Sequence, residues 1–409
     1  MRSDFVFYNP TKIYFGKESL NNLEDELKNY GDNVLLVYGK SAIKKIGLYD
    51  KVIEILKNAN KNVFEVSGVM PNPTYKKMME GANAIRENNI DLILAVGGGS
   101  VIDCAKGMSA AAYFDGDAYK EYYLDYKPVK TKITPIGTIL TMVGTGSEMN
   151  AGSVITNEDL KLKHGRVYGP EMNPKFSILN PELTYSLSEY QMKSGIFDCF
   201  SHLMETYFSD DGENVSDYIL EGLMRSLISC SKKAFENPLD YEARSNVMWT
   251  ATIALNTLPG CAKKQDWQVH SIEHQLGAYT DCAHGMGLAA ISIPYYRWIY
   301  KYGIHQFAKF ATNVWNINPE NKTEEELAKE GVEALVNYIQ ESGMVTNIYD
   351  LGATEEMLPL IANSTDLGGG FKDVTPEIIL QILRDCFQKP CKSLVKVYKN
   401  KKVWFKSNL

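Results

Sequence analysis

Asp91-Leu-Ile-Leu-Ala-Val96-Gly97-Gly-Gly-Ser100-Val-Ile-Asp103-Cys-Ala-Lys106 is the stretch on which the fold turns. Six residues, five of them aliphatic, run straight into three glycines, and a helical pattern resumes by Val101. An unbroken apolar strand is expected only where helices cover both faces of a sheet, so 91–96 predicts a buried strand of a parallel α/β sheet. Glycines after such a strand let backbone N–H groups approach an anion closely, Ser100 is placed to cap the helix, and a helix start carries a partial positive charge. A pyrophosphate fits this turn. The spacing is not the GxGxxG dinucleotide fingerprint, however, and a tight turn explains three glycines equally well.

The same alternation extends outward. Asn33-Val-Leu-Leu-Val-Tyr38 and Asn62-Val-Phe-Glu-Val66 read as strands, with helical stretches at 48–59 and 75–88 between and after them. A second loop rich in hydroxyls and glycine, Thr138-Ile-Leu-Thr141-Met-Val-Gly-Thr-Gly-Ser-Glu148, follows a strand expected at Lys132-Ile-Thr-Pro-Ile136. Strand ends of an open α/β sheet share one crevice at its carboxyl edge, so the two loops should face a common ligand. After Leu187 the pattern becomes helical throughout, at 189–208, 216–236, 241–257, 264–279, 284–301 and 323–341. The expected organisation is an α/β domain over 1–188, whose glycine loops suit a dinucleotide, and an all-helical domain over 189–409, packed with a cleft between them.

Composition excludes several classes. With 43 Lys+Arg against 50 Asp+Glu the formal charge is −7, which offers no basic footprint for nucleic acid or an anionic membrane. No stretch approaches the ~20 apolar residues of a membrane span, and the start has no apolar core of signal-peptide length. The seven cysteines (104, 199, 230, 261, 282, 386 and 391) contain no CxxC pair, are odd in number, and suit reduced thiols in the cytoplasm.

Four of the six histidines fall at His202, His270, His274 and His284 in the helical part, with Asp198 one turn before His202. Asp198 and His202 are four apart and project from one helix face, and His270 and His274 repeat that spacing. A lone histidine on a helix is usually a satisfied core residue. Five candidates on three consecutive features point instead to a divalent cation, and oxygen plus imidazole ligands without thiolate suit Fe²⁺ or Zn²⁺. Trp267, expected on the same helix as His270, is placed either to wall the site or simply to pack in the core.

Together these segments resemble the iron-containing (group III) alcohol dehydrogenases, most closely the NAD(P)H-dependent butanol dehydrogenases. The likeness runs from Pro10-Thr-Lys-Ile-Tyr-Phe-Gly16 through Tyr38-Gly-Lys-Ser41, Pro71-Asn-Pro73, the triple-glycine segment and Gly144-Thr-Gly-Ser-Glu148. It continues through Asp198-Cys-Phe-Ser-His-Leu-Met-Glu205, Tyr241-Glu-Ala-Arg-Ser-Asn-Val-Met-Trp249, and His270-Ser-Ile-Glu-His-Gln-Leu-Gly277 with His284-Gly285. The resemblance implies Asp198, His202, His270 and His284 as metal ligands, with His274 beside the reacting oxygen. It implies Gly98, Gly99, Ser100 and Asp103 at the cofactor's phosphates and nicotinamide side, and Thr138, Thr141 and Lys163 at its adenine and ribose half. Asn72 is a further contact, and Asp103 and His274 are the implied catalytic pair. Asn180 and Ser188-Glu189 depart from the family's usual residues at the seam.

Members of this family that prefer NAD often carry an acidic residue after the first strand, here 33–38, where it hydrogen-bonds the ribose 2′-OH and repels a 2′-phosphate. The chain has Gly39, Lys40 and Ser41 there, which favours NADP(H) over NAD(H), unless the lysines are only a solvated face. The expected reaction interconverts short aldehydes and primary alcohols, such as butanal and butanol, in a homodimer joined through edge strands. A polyol oxidoreductase of the glycerol dehydrogenase kind and a lyase like dehydroquinate synthase are the alternatives. The lyase would need Lys/Arg clustered at the metal, and 198–205 and 267–287 hold no such cluster.

Overall fold

The computed structural model describes residues 4–210 and 212–388, so Cys391 and the end of the expected second domain lie outside the described residues. The first part comprises β1 (Lys12–Phe15), α1 (Leu23–Leu27), β2 (Asn33–Tyr38), α2 (Ala42–Lys45), α3 (Leu48–Asn58), β3 (Asn62–Val66), α4 (Tyr75–Glu87), β4 (Leu92–Gly97) and α5 (Gly99–Ala111). It continues with β5 (Ile136–Leu140), β6 (Gly152–Asn157), β7 (Leu162–Val167) and β8 (Phe176–Leu179). Six strands form one wholly parallel sheet in the order β1-β8-β5-β4-β2-β3. Every residue of β4 and β5 is buried, as expected of central strands roofed on both faces. β6 and β7 form a separate antiparallel pair.

The second sheet loop is displaced from its expected place. The strand is Ile136–Leu140 rather than Lys132–Ile136, because β5 runs between β4 and β8 and the exposed Lys132 cannot enter a two-sided core. Helix α5 begins at Gly99 with Gly98 as its cap residue and no side-chain cap bond, so Ser100 lies in the first turn instead of capping it.

From Glu189 onward the described chain is helical: α6 (Glu189–Tyr207), α7 (Val215–Glu236), α8 (Tyr241–Ala254), α9 (Gln268–Thr280), α10 (His284–Ile299), α11 (Ile304–Lys309), α12 (Glu324–Glu341), α13 (Met357–Ser364) and α14 (Pro376–Asp385). Both unusual seam residues have local roles. The Asn180 side chain accepts from the Glu182 N–H to start the short turn 181–184, and Ser188 forms a capping box with Gln191 that starts α6. Buried Arg244 of α8 then pins that turn, donating from Nε to Thr184 Oγ1 (3.1 Å) and from Nη2 to the Thr184 carbonyl. Among the described residues no helix is long and apolar enough to cross a membrane.

Candidate active site

Four polar atoms converge where α6, α9 and α10 meet. The Nε2 atoms of His202, His270 and His284 lie 3.4, 3.5 and 3.5 Å from one atom, Asp198 Oδ1. The i,i+4 spacing on α6 supplies Asp198 and His202, α9 supplies His270 in its first turn, and α10 opens at His284. Asp198 Oδ1 and His270 Nε2 are buried without a hydrogen-bond partner, which is costly unless a cation takes both. One oxygen and three imidazole nitrogens fit Fe²⁺ or Zn²⁺.

Electrostatics agree with that use. Burial drives His202 down to about 3, so its ring is neutral and free to coordinate. Burial works against charge on His270 too, but Glu205 and Asp198 outweigh it and raise the ring to about 10, so a cation arriving there displaces a proton. Asp198 resists burial and is held below the usual carboxylate range by the surrounding imidazoles. His274, one turn along α9, is pushed well below an ordinary histidine by burial first and by the positive charge of Lys163 next. Its ring centroid lies 5.6 Å from that of His284 and 6.2 Å from that of His270.

Trp267 is not on the helix of His270. It precedes α9 in a left-handed conformation, φ 56°, because α9 begins only at Gln268. The indole nevertheless stands edge-on to His202 and His270, with centroids at 5.8 and 5.3 Å, and so walls one side of the cluster.

The glycine loops reach the same place. Gly97 pairs with Leu140 in the sheet and the Thr141 N–H donates to the Gly97 carbonyl at 2.9 Å, so both loops leave side by side. They pack without room for a Cβ: at Gly98 it would lie 2.9 Å from the Met142 side chain, and at Gly99 2.3 Å from Thr145 Oγ1. Further along, a Cβ on Gly144 would lie 2.8 Å from Asp198 Oδ2, so the loop that leaves β5 touches the Asp198 carboxylate. The cradle and the cluster are therefore two walls of one cleft.

Several residues expected at the cofactor have other occupations. Thr138 is buried inside β5 with its hydroxyl donated to Ser177 Oγ at 2.7 Å, because β5 starts later than expected and carries Thr138 into the sheet. Asp103 is the most changed. Its carboxylate accepts from Ser147 Oγ (2.5 Å) and the Val154 N–H (3.0 Å), beside buried Lys106, which donates to Ser147, Asn150 and the Gly152 carbonyl. That network fastens the second loop to α5. Asn72, at φ 52°, donates to Asp281 Oδ1 (2.8 Å) and to the Cys282 carbonyl, joining the first part to the turn before His284. Lys163 on β7 is ion-paired to Glu273 at 3.2 Å. Gly39 and exposed Ser41 stand at the end of β2, Thr141 is half-buried, and Gly98, Gly99 and Ser100 open α5 at the cleft.

Two residues at the site escaped the sequence reading. Glu205 and Glu273, each fully buried, receive the Nδ1 atoms of His270 and His284 respectively. The usable signal was an acid three residues after each of His202 and His270.

The sequence model of the iron-containing alcohol dehydrogenase family matches residues 10–181, and that of the family's C-terminal part matches 192–387. The chain belongs to the iron-containing alcohol dehydrogenase family. It is 38% identical over 390 residues to NADH-dependent butanol dehydrogenase A of Clostridium acetobutylicum, covering 94% of this chain and 99% of that one. Against the NADPH-dependent aldehyde reductase YqhD of Escherichia coli identity is 32% over 370 residues, covering 90% and 94%. The crystal structure of NADH-dependent butanol dehydrogenase A from Thermotoga maritima superposes with TM-score 0.89 at 35% identity, covering 95% of this chain and 99% of that chain. This member of the family is an NAD(P)H- and metal-dependent alcohol dehydrogenase with the parallel sheet first and the helices second.

Asp266 is a buried group whose charge is unusually costly. The Tyr295 hydroxyl donates to its Oδ2, and burial together with nearby Glu205 pushes the carboxyl up to about 7. The folded state therefore holds an extra proton between about pH 4 and about 7, and stability should fall as pH rises through that window. Asp266→Asn is expected to remove most of this slope and to be the more stable protein at pH 8 by on the order of 1–3 kcal/mol. Urea unfolding of both metal-free proteins at pH 5 and pH 8 measures it, and parallel slopes would contradict the assignment.

Proposed function

We propose that the enzyme interconverts short aliphatic aldehydes and primary alcohols of the butanal/butanol class, with NADP(H) preferred over NAD(H) and either Fe²⁺ or Zn²⁺ as the ion. The observation that carries this reading is the convergence of three Nε2 atoms on Asp198 Oδ1 against Gly144 of the cofactor-side loop. When bound, the ion supplies Lewis-acid polarisation of the substrate oxygen, and the nicotinamide supplies or accepts hydride.

The chain's own residues do the rest. Asp198, His202, His270 and His284 hold the charge at the cleft, and Trp267 excludes water from one side of it. His274, kept neutral by burial and Lys163, is available to take or return the alcohol proton. Gly98, Gly99 and Ser100 present the start of α5 to the pyrophosphate. The butanol dehydrogenase and aldehyde reductase names of the relatives support the substrate class.

The preference for NADP(H) rests on the end of β2. No acid stands at Gly39, Lys40 or Ser41, and the acid on the neighbouring strand, Glu65, already accepts from the hydroxyls of Tyr38 (2.7 Å) and Tyr49 (2.9 Å). Lys44 lies over both rings, at 5.3 and 4.4 Å from their centroids, adding positive charge near the turn. A cytoplasmic homodimer joined through edge strands completes the proposal. Exposed Phe5, Val6, Phe7 and Phe15 around edge strand β1 support the pairing, and the described free cysteines suit a reducing compartment.

The test is aldehyde-dependent oxidation of NADPH and of NADH after separate reconstitution with Fe²⁺ and Zn²⁺, with glycerol oxidation in parallel. Butanal reduction with a higher kcat/KM for NADPH is expected. Turnover of glycerol alone would transfer the enzyme to the polyol class, a higher kcat/KM for NADH would reverse the cofactor assignment, and NADPH binding without turnover on any aldehyde would make it a binding protein.

A further inference from the structure

Two of the three histidine ligands are gripped from behind by buried carboxylates, and the two grips differ in what else they hold. Glu205 on α6 is fully buried. Its Oε1 accepts from the backbone N–H groups of Val269 (2.7 Å) and His270 (3.2 Å), and its Oε2 accepts from Ser201 Oγ (3.2 Å) and receives His270 Nδ1. Among the described residues these hydrogen bonds of Glu205 all lie within the helical part, and they fix both the start of α9 and the ring that projects from it.

Glu273 on α9 is also fully buried, and its Oε2 receives His284 Nδ1 of α10. The same oxygen takes Lys163 Nζ at 3.2 Å, and Lys163 lies on β7 in the first part of the chain. The packing there is close: a Cβ on Gly277 would lie 3.1 Å from Lys163 Nζ, and one on Gly287 2.8 Å from Glu273 Cγ. Gln275 adds a bond from its Nε2 to the Lys163 carbonyl at 3.1 Å. Among the described residues His202, the third imidazole, has no carboxylate at its buried Nδ1.

We propose that Glu205 and Glu273 are positioning residues that hold His270 and His284 with the proton on Nδ1 and Nε2 turned to the ion, and that Glu273, shared with Lys163, makes metal affinity depend on the first part of the chain. A carboxylate accepting the Nδ1 proton fixes the tautomer and the ring plane and makes Nε2 a stronger donor. The Lys163 ammonium sets how much negative charge Glu273 keeps for His284, so a residue that does not ligand the ion tunes it. Glu205 has no such outside partner. The inference rests on the four-ligand metal reading above and extends it to the residues that aim those ligands.

Zn²⁺ affinity, measured by competition with a chromophoric chelator in the absence of cofactor and substrate, separates the two ideas. Wild-type protein that fails to bind one Zn²⁺ overturns the metal reading itself. If wild type binds, E205Q and E273Q are each expected to weaken Zn²⁺ about 10- to 100-fold, the range for lost carboxylate support of a ligating histidine. K163M is expected to change Zn²⁺ affinity as well, and to change it much less when E273Q is already present. Unaltered affinity in E205Q and E273Q overturns the positioning role, and additive effects of K163M and E273Q overturn the coupling. Should a Gln variant not fold, ¹⁵N-histidine spectra of Zn²⁺-loaded wild type give an independent answer. Protonated Nδ1 and metal-bound Nε2 on His270 and His284 support the proposal, and the opposite tautomer on both refutes it.

Discussion

His202→Ala is expected to emerge without bound metal and without turnover, and His284→Ala to follow it closely. Each replacement removes one of four donors from a cluster in which the three Nε2 atoms surround Asp198 Oδ1 at 3.4 to 3.5 Å. An ion acting on the substrate oxygen is worth several kcal/mol of transition-state stabilisation. At about 1.4 kcal/mol per factor of ten, kcat/KM should fall by ~10³ or more. The two variants differ in what replaces the ring. The His202 side chain is 5% exposed and leaves a closed gap, whereas that of His284 is 25% exposed and lets water enter the vacated position. His202→Ala should therefore show the greater loss of metal. Metal content by mass spectrometry alongside steady-state kinetics measures both, and full activity in a metal-free variant would reject the site.

Gly195→Ala should be a severely damaging replacement although Gly195 holds no ligand. A Cβ there would sit 2.1 Å from the Val143 carbonyl oxygen, and Gly144 of the same loop already touches Asp198. Neither partner is a flexible side-chain tip, so α6 and the loop after β5 must separate. Overpacking of this kind costs roughly 1–3 kcal/mol, which lowers Tm by several degrees in a protein of this size. The functional loss should exceed the stability loss, because the displaced loop forms the cofactor side of the cleft. Gly222→Ala in α7 is the control: nothing lies within 4 Å of its Cβ, and Ala in a helix interior gains up to ~1 kcal/mol over Gly. Thermal unfolding of both variants, with NADPH affinity measured on metal-free protein, decides the matter. Equal behaviour of the two would show that the close approach has no consequence.

How far the site could be read in advance depended on whether its parts were local. Asp198 with His202 needs only the helical period, and the burial of β4 needs only an unbroken apolar run, so both were plain in the chain. Trp267 was misplaced because four extra residues of helical pattern precede α9, and a left-handed residue at its start has no reliable signature in a tryptophan. Thr138 was misplaced because Lys132-Ile-Thr-Pro-Ile136 alternates like a strand. The neighbours β4 and β8, which demand an uncharged segment on both faces, are far away in sequence. The bonds that hold Asp103 could not be read from the chain either. Its partners Ser147 and Val154 come from a loop and a strand more than 40 residues on.

Taken alone, the chain determined its fold class, the helical character of its second part and the identity of the candidate metal donors, because these follow from periodicity and from which side chains can coordinate a cation. Only the tertiary structure decided that three imidazoles share one carboxylate oxygen, that Gly144 brings the cofactor loop against it, and that Glu205 and Glu273 stand behind two of the rings. Those relations join α6, α9, α10, β7 and the loop after β5. Distances between segments so far apart in sequence are set by how the core packs, and no local pattern encodes them.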